Sequence, residues 1–354
     1  MVSFLKKLTE AANNEYAAIV EEGLDADVVS YVDTGSYALN ALLSGSIYKG
    51  IAGNKVVALA GESSTGKTFV ALGIAKAFQD ANKDGQVIYF DSESAITSEM
   101  IKERGMDPTR MAILPADTVE NFRTQMMKIL KELEETKESE RQPVLFVLDS
   151  LGELSTSKEM NDTLEGKETR DMTRAQVVKS LFRVITLKLG RLKCSMIVTN
   201  HVYDVIGSMF PQKKMGGGSG LVYAASQIIS LSKRKDKDKE NEVTGAILTA
   251  SLQKSRLTKE NRSVSTLVSY DHGLDRYYGL LDIAEKYGIF TKVSNKYEVA
   301  KDVKVFENAI LKNPTKYFTK EVLDRIDEAC AKEFCYGKNE VVPAEEVDET
   351  VTEE

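Results

Sequence analysis

Histidine and cysteine are scarce in this sequence, and their scarcity removes whole classes of chemistry. His201 and His272 are the only histidines, so Ser–His catalysis or a histidine-built metal centre has few members to draw on. Three cysteines, Cys194, Cys330 and Cys335, form an odd set without a CxxC. They support neither a disulfide framework nor a zinc site, and they point to a reducing, cytoplasmic setting. No apolar run approaches the ~20 residues of a membrane span. The opening Met1–Leu8 lacks the apolar core and small-residue cleavage site of a signal peptide, so no membrane partner is expected. What remains is an ordinary globular composition, 42% hydrophobic and 29% charged. Its 354 residues suit one large α/β domain with appendages, or two modest domains.

The net charge of −7 resides in the C-terminus. Glu340, Glu345, Glu346, Asp348, Glu349, Glu353 and Glu354 fall in residues 340–354, which hold no Lys or Arg. Residues 1–339 are therefore close to neutral. Such a block reads as a disordered tail, either a solubilising one or a competitor with polyanions for a basic surface.

Against this background one motif stands out, Gly61-Glu62-Ser63-Ser64-Thr65-Gly66-Lys67-Thr68. The apolar run Val56–Ala60 precedes it and the helical pattern Phe69–Ala75 follows, which is the strand–loop–helix setting a phosphate-binding P-loop requires. Successive backbone N–H groups and a helix N-terminus attract a triphosphate. Lys67 is placed to reach the β- and γ-phosphates, and Thr68 to offer its hydroxyl to Mg²⁺.

The rest of the chain alternates strands and helices. Residues 1 to about 25 read as a helix, Val28–Val32 as a strand and residues 36–45 as a short helix. Strands are expected at Val87–Phe90, Met111–Leu114, Val144–Asp149 and Ser195–Asn200. Helices are expected at residues 98–104, 119–137 and 175–191. That rhythm argues for a parallel sheet covered on both faces. After about residue 221 it changes to strand-like runs at 226–232, 245–252 and 263–270, which would extend the sheet antiparallel. Lys233–Glu240 reads as a solvated, charged hairpin tip, and residues 303–312 and 319–335 as helices.

Three positions bear on what the P-loop serves. Asp149 ends an apolar strand in the Walker B manner, where an acid helps hold Mg²⁺ through its water shell. Glu93, in Asp91-Ser92-Glu93-Ser94, follows the strand after the P-loop helix. Spacing alone leaves it equally a loop cap and a base for an attacking water. His201 follows the strand Ile197–Asn200 and leads into a loop with Phe210, Lys213, Lys214 and Gly216-Gly217-Gly218. That loop reads either as mobile surface or as a segment ordered by a triphosphate.

Together these spacings resemble the RecA-type recombinases, over about residues 28–290. Thr34-Gly35-Ser36 with Leu39 and Leu43 belongs to the same resemblance. Within that family the chain is most similar to the phage UvsX-type strand-exchange proteins. It has a His after the strand-tip Asn200, where bacterial RecA has Gln. The resemblance implies an α/β fold, a RecA-like P-loop ATPase core with a mixed, mainly parallel central sheet, an N-terminal helical leader and a small C-terminal module. It implies that Glu93 activates water, that His201 senses the γ-phosphate, and that Lys254 and Arg256 reach the ATP of a neighbouring subunit. Without it, the last two are ordinary charged residues at a strand end. Tyr270 matches an adenine-packing tyrosine, while Met100 stands where bacterial RecA has a second aromatic. Segments 152–173 and 205–219 match the two loops that hold single-stranded DNA, with Phe210 at the family's aromatic position and Lys213, Lys214, Gly216 and Gly217 beside it.

The resemblance further implies a DNA-dependent ATPase using ATP and Mg²⁺. It would form helical filaments on single-stranded DNA and exchange strands with homologous double-stranded DNA, aided by a loader or mediator and a single-strand-binding protein. A hexameric helicase motor and an ATP-binding mediator with little turnover share parts of this pattern. The expected organisation is a subunit-docking segment 1–32, a core 33–294, a small module 295–339 and the acidic tail 340–354.

Overall fold

The computed structural model describes residues 4–14, 17–167, 172–204, 213–237 and 240–337. Its first helix, α1 (Phe4–Ala11), ends far short of residue 25. Asn13 takes a left-handed φ of 45°, which breaks the helical run, and a 3₁₀ turn at Val20–Glu22 follows. Phe4, Leu5 and Leu8 of α1 are exposed. The strand expected at 28–32 is reduced to β1 (Tyr31–Val32), which pairs antiparallel with β2 (Ile51–Ala52) across helix α2 (Tyr37–Ser44).

The core alternates β3 (Val56–Gly61), α3 (Lys67–Ala81), β4 (Gln86–Asp91), α4 (Ser98–Glu103), β5 (Met111–Pro115), α5 (Val119–Glu135) and β6 (Val144–Asp149). It continues through α6 (Ser157–Leu164), α7 (Arg174–Arg191), β7 (Ser195–Asp204), β8 (Lys213–Met215) and α8 (Gly220–Ala224). Four strands complete it: β9 (Gln227–Lys237), which runs parallel to β3 although its sequence run was expected to extend the sheet antiparallel, then β10 (Val243–Ser255), β11 (Ser263–Ser269) and β12 (Gly273–Leu274). The sheet order is β12-β11-β10-β9-β3-β7-β6-β4-β5. Strands β9, β3, β7, β6, β4 and β5 run parallel, and β10 to β12 extend one edge antiparallel.

The parallel strands are apolar on both faces because both faces are covered. Alternate residues feed two cores. Val57, Leu59, Leu145, Val147 and Ile197 face α2 and α3. Val56, Ala58, Phe146, Leu148, Met196 and Val198 face α5 and α7. Phe122 of α5 meets Phe90 edge-on at 4.7 Å between ring centres, within the second core.

The charged run at Lys233–Glu240 is mostly strand rather than tip. Residues Lys233–Lys237 continue β9 and pair with β10, with Lys237 opposite Val243 and Arg234 opposite Ile247. Their backbones fill the ladder while the exposed lysine side chains reach water, so side-chain charge carried no information about pairing.

Beyond α9 (Leu280–Lys286) lies a three-stranded antiparallel sheet of β13 (Thr291–Val293), β14 (Lys296–Ala300) and β15 (Val303–Phe306). The helix expected over 303–312 therefore begins only at α10 (Glu307–Lys312), because Val303–Phe306 pairs with β14. Helices α11 (Pro314–Tyr317) and α12 (Lys320–Phe334) follow. Ile326, Cys330 and Phe334 of α12 join the first core, and Asp327 accepts 2.7 Å hydrogen bonds from the Ser46 hydroxyl and the Ile47 N–H. Among the described residues no helix is long and apolar enough to cross a membrane.

Candidate nucleotide site

The phosphate loop starts where β3 ends. A Cβ on Gly61 would lie 2.6 Å from the Thr65 hydroxyl and 2.8 Å from the Leu231 carbonyl, so only glycine fits between the loop and β9. Gly66 takes φ 91° and turns the chain into α3. The Thr65 hydroxyl donates to the Glu62 carbonyl at 2.9 Å and closes the loop on itself. Ser63 and Ser64 are exposed and Thr68 is half-buried in the first helical turn.

Lys67 is buried, and its ammonium donates to the Gly61 and Glu62 carbonyls at 3.1 and 2.8 Å. Burial pushes its pKa below the usual lysine range, while the carboxylates of Glu93 and Asp149 pull the other way. The loop thus offers backbone N–H groups and one partly desolvated cation to a polyanion.

His201 is brought to this cation by sheet register, since β3 and β7 pair Gly61 with His201. Its Nδ1 lies 3.5 Å from the Lys67 Nζ, and its Nε2 lies 3.3 Å from Glu93 Oε1. Glu93 is presented by a turn that Asp91 organises. The Asp91 carboxylate accepts N–H groups from Glu93 at 3.0 Å, Ala95 at 3.4 Å and Ile96 at 3.1 Å. Ser92 pins that turn to the next strand: its N–H donates to the Asp149 carbonyl at 2.9 Å, and its hydroxyl accepts from the Ser150 N–H at 2.7 Å.

Asp149 lies beside Asp91 in the β4–β6 ladder and is buried. One carboxylate oxygen accepts from the Tyr89 hydroxyl at 2.6 Å and the other from the Thr199 hydroxyl. Burial and the Asp149 charge raise the Tyr89 pKa far above its ordinary value, which keeps the phenol a donor. With both oxygens engaged by the chain, this carboxylate suits an ion held through its water shell better than direct ligation.

Several predicted residues lie elsewhere. Lys254 donates to the carbonyls of Val222 at 2.6 Å and Ala225 at 2.8 Å, and Arg256 to that of Tyr223 at 3.0 Å. Within one protomer both cations therefore serve the C-terminal end of α8 and not the phosphate loop. Tyr270 is exposed at the rim of a cavity of about 700 Å³ that Phe69, Gly73, Met100 and Arg104 also line. Lys213 pairs with Glu62. It shares β8 with the exposed Lys214, and β8 folds back antiparallel on β7. Gly216 donates its N–H to the His201 carbonyl at 3.0 Å and accepts the Asn200 amide at 3.0 Å, and Gly217 follows with φ 76°. Phe210 and the tail 340–354 lie outside the described residues.

Sequence reasoning passed over Glu153. It lies in a 3₁₀ turn, Leu151–Glu153, and its Oε1 is 3.6 Å from the same His201 Nε2 that meets Glu93. Its only signal was its place four residues after Asp149, inside a segment read as a loop.

A parallel sheet with a phosphate loop at the carboxyl end of β3, and acids at the tips of β4 and β6, defines a P-loop nucleoside-triphosphate-binding protein. More narrowly, the chain belongs to the RecA family: residues 10–275 match the model of the RecA N-terminal domain. It is 31% identical over 295 residues to the recombination and repair protein of Enterobacteria phage T4, covering 83% of this chain and 73% of that one. It is 27% identical over 289 residues to protein RecA of Paracoccus denitrificans, covering 79% and 75% of the two chains. With protein RecA of Thermotoga maritima the identity is 26% over 302 residues, covering 83% and 78%.

Proposed function

We propose that this protein is a recombinase that hydrolyses ATP, assembles into helical filaments on single-stranded DNA and exchanges strands with homologous duplex. The observation that carries the reading is the Lys67–His201–Glu93 cluster at the mouth of the phosphate loop, in a chain of the RecA family.

In this reading, residues 61–68 wrap the triphosphate and Lys67 turns from the loop carbonyls to the phosphates. Thr68 and Asp149 would hold a magnesium ion, which would neutralise phosphate charge. Glu93 takes the proton of the attacking water, held in place by the Asp91 turn. His201 senses the γ-phosphate through Lys67, whose ammonium its Nδ1 faces, and Tyr270 packs on the base at the rim of the cavity. Lys254 and Arg256 act in trans, leaving the α8 carbonyls for a neighbour's phosphates, so that hydrolysis depends on assembly. The exposed apolar residues of α1 dock the segment 1–32 on the next subunit, and a head-to-tail contact that does not close yields a filament. Segments 152–173 and 205–219 hold the DNA backbone without reading sequence, with Lys213, Lys214, Gly216 and Gly217 in the second.

ATP hydrolysis measured with and without single-stranded DNA, across protein concentration, tests this. Stimulation that rises cooperatively with concentration is the expected result. Turnover indifferent to DNA would overturn the recombinase reading.

A further inference from the structure

We infer that Glu153 is a positioning residue for hydrolysis: it takes the His201 N–H from Glu93 and so links the root of the first DNA loop to the water-activating carboxylate. This rests on the recombinase reading above.

His201 is placed between one cation and two carboxylates. Its Nδ1 faces the Lys67 ammonium at 3.5 Å, an arrangement in which Nδ1 accepts and Nε2 carries the ring N–H. That N–H meets Glu93 Oε1 at 3.3 Å, and Glu153 Oε1 lies just beyond hydrogen-bond reach at 3.6 Å. The His201, Glu93 and Glu153 atoms all lie within 4.8 Å of one another. A Glu93 oxygen occupied by the imidazole is withdrawn from the water it must deprotonate. Transfer of the N–H to Glu153 frees that oxygen without leaving the imidazole unpaired.

The backbone under Glu153 is fixed against the same strand tip. A Cβ on Gly152 would come within 3.2 Å of both His201 Cδ2 and Asn200 Oδ1, so the turn lies flat on the end of β7. Leu151 is fully buried beneath it. Arg174, the first residue of α7, donates to the Gly152 carbonyl at 2.6 Å. The turn that carries Glu153 is thus clamped at the far end of segment 152–173, and a displacement of that segment by DNA reaches Glu153 through Arg174. The Glu153 side chain itself is half-exposed and free to change rotamer.

The test compares the parent with Glu153→Ala, Glu153→Gln and Glu93→Gln. ATP hydrolysis is measured over a range of ATP, with and without single-stranded DNA, alongside DNA binding. Glu153→Ala should lower the DNA-stimulated kcat about tenfold. Its KM for ATP should stay within about twofold of the parent, which also reports an intact fold. Glu153→Gln keeps an oxygen that accepts the N–H and should recover much of the lost kcat, whereas Glu93→Gln should not. A Glu153→Ala protein with parental DNA-stimulated kcat overturns the inference while leaving the recombinase reading in place. A loss confined to KM or DNA affinity overturns it too, because Glu153 would then be a binding residue. A parent that DNA does not stimulate defeats the functional reading, and this coupling with it.

Discussion

Asp91 and Glu93, two residues apart, divide one task. The Asp91 carboxylate accepts the Glu93 N–H at 3.0 Å and two further N–H groups of the same turn. Its charge is spent on backbone, and the Glu93 side chain is left to face His201. The two acids look interchangeable in Asp-Ser-Glu-Ser, yet one shapes the turn and the other is presented by it.

Glu93→Gln keeps the size of the side chain and removes the proton acceptor. Turnover should fall about 10²- to 10⁴-fold, with ATP binding retained. Steady-state hydrolysis beside equilibrium binding of a fluorescent ATP analogue separates the two effects. Parental turnover in this variant would end the role proposed for Glu93.

Lys254 and Arg256 engage α8 within their own protomer, so the action on nucleotide proposed for them requires a neighbour. Arg256→Ala and Glu93→Gln proteins should each be nearly inactive alone. Mixed in equal amounts they should regain activity, up to roughly a quarter of parental turnover for random assembly of head-to-tail filaments. No recovery in the mixture would place Arg256 outside the neighbour's active site.

Lys214 is exposed on β8, in the segment proposed to hold DNA. Lys214→Ala should weaken single-stranded DNA binding equally for all sequences, and reduce the salt dependence of affinity by about one unit of slope. Fluorescence anisotropy over a salt series reads both quantities. An unchanged slope would remove Lys214 from the phosphate contacts.

Burial pushes the Cys194 thiol up to about 12 from an ordinary 9.0, with Arg141 opposing weakly. Its folded-state pKa is raised, so the stability it contributes is complete below pH 9.0 and is lost as pH climbs toward about 12. Cys194→Ala should therefore flatten the alkaline decline of the melting temperature in that window. At neutral pH the thiol should resist alkylation until the protein unfolds, which mass spectrometry after brief labelling can follow. Rapid labelling of Cys194 in the folded protein would contradict its burial.

The features legible in the sequence are those whose chemistry is local. The phosphate loop needs consecutive residues with glycine at set places, and the parallel strands announce themselves as uninterrupted apolar runs such as Leu145–Leu148. Asp149 could be read because a carboxylate that ends such a run is costly to bury unless it serves a charge or a donor nearby. Glu153 was hidden because its meaning lies in a partner at residue 201, which only the β6–β7 register brings near. The strand Val303–Phe306 was missed because adjacent Glu307–Lys312 continues a helical pattern, and pairing with β14 decides where that pattern begins. The first helix was overextended because apolar spacing speaks to faces and not to ends, which Asn13 sets through its backbone.

The last helix closes a circuit in the architecture. Ile326, Cys330 and Phe334 of α12 are packed in the same core as Val70 and Ile74 of α3, the helix that the phosphate loop opens. Residues more than 250 positions apart in the chain thus complete one core. A chain cut ahead of α12 would carry every residue of the phosphate loop and still lack one side of the core in which α3 is buried.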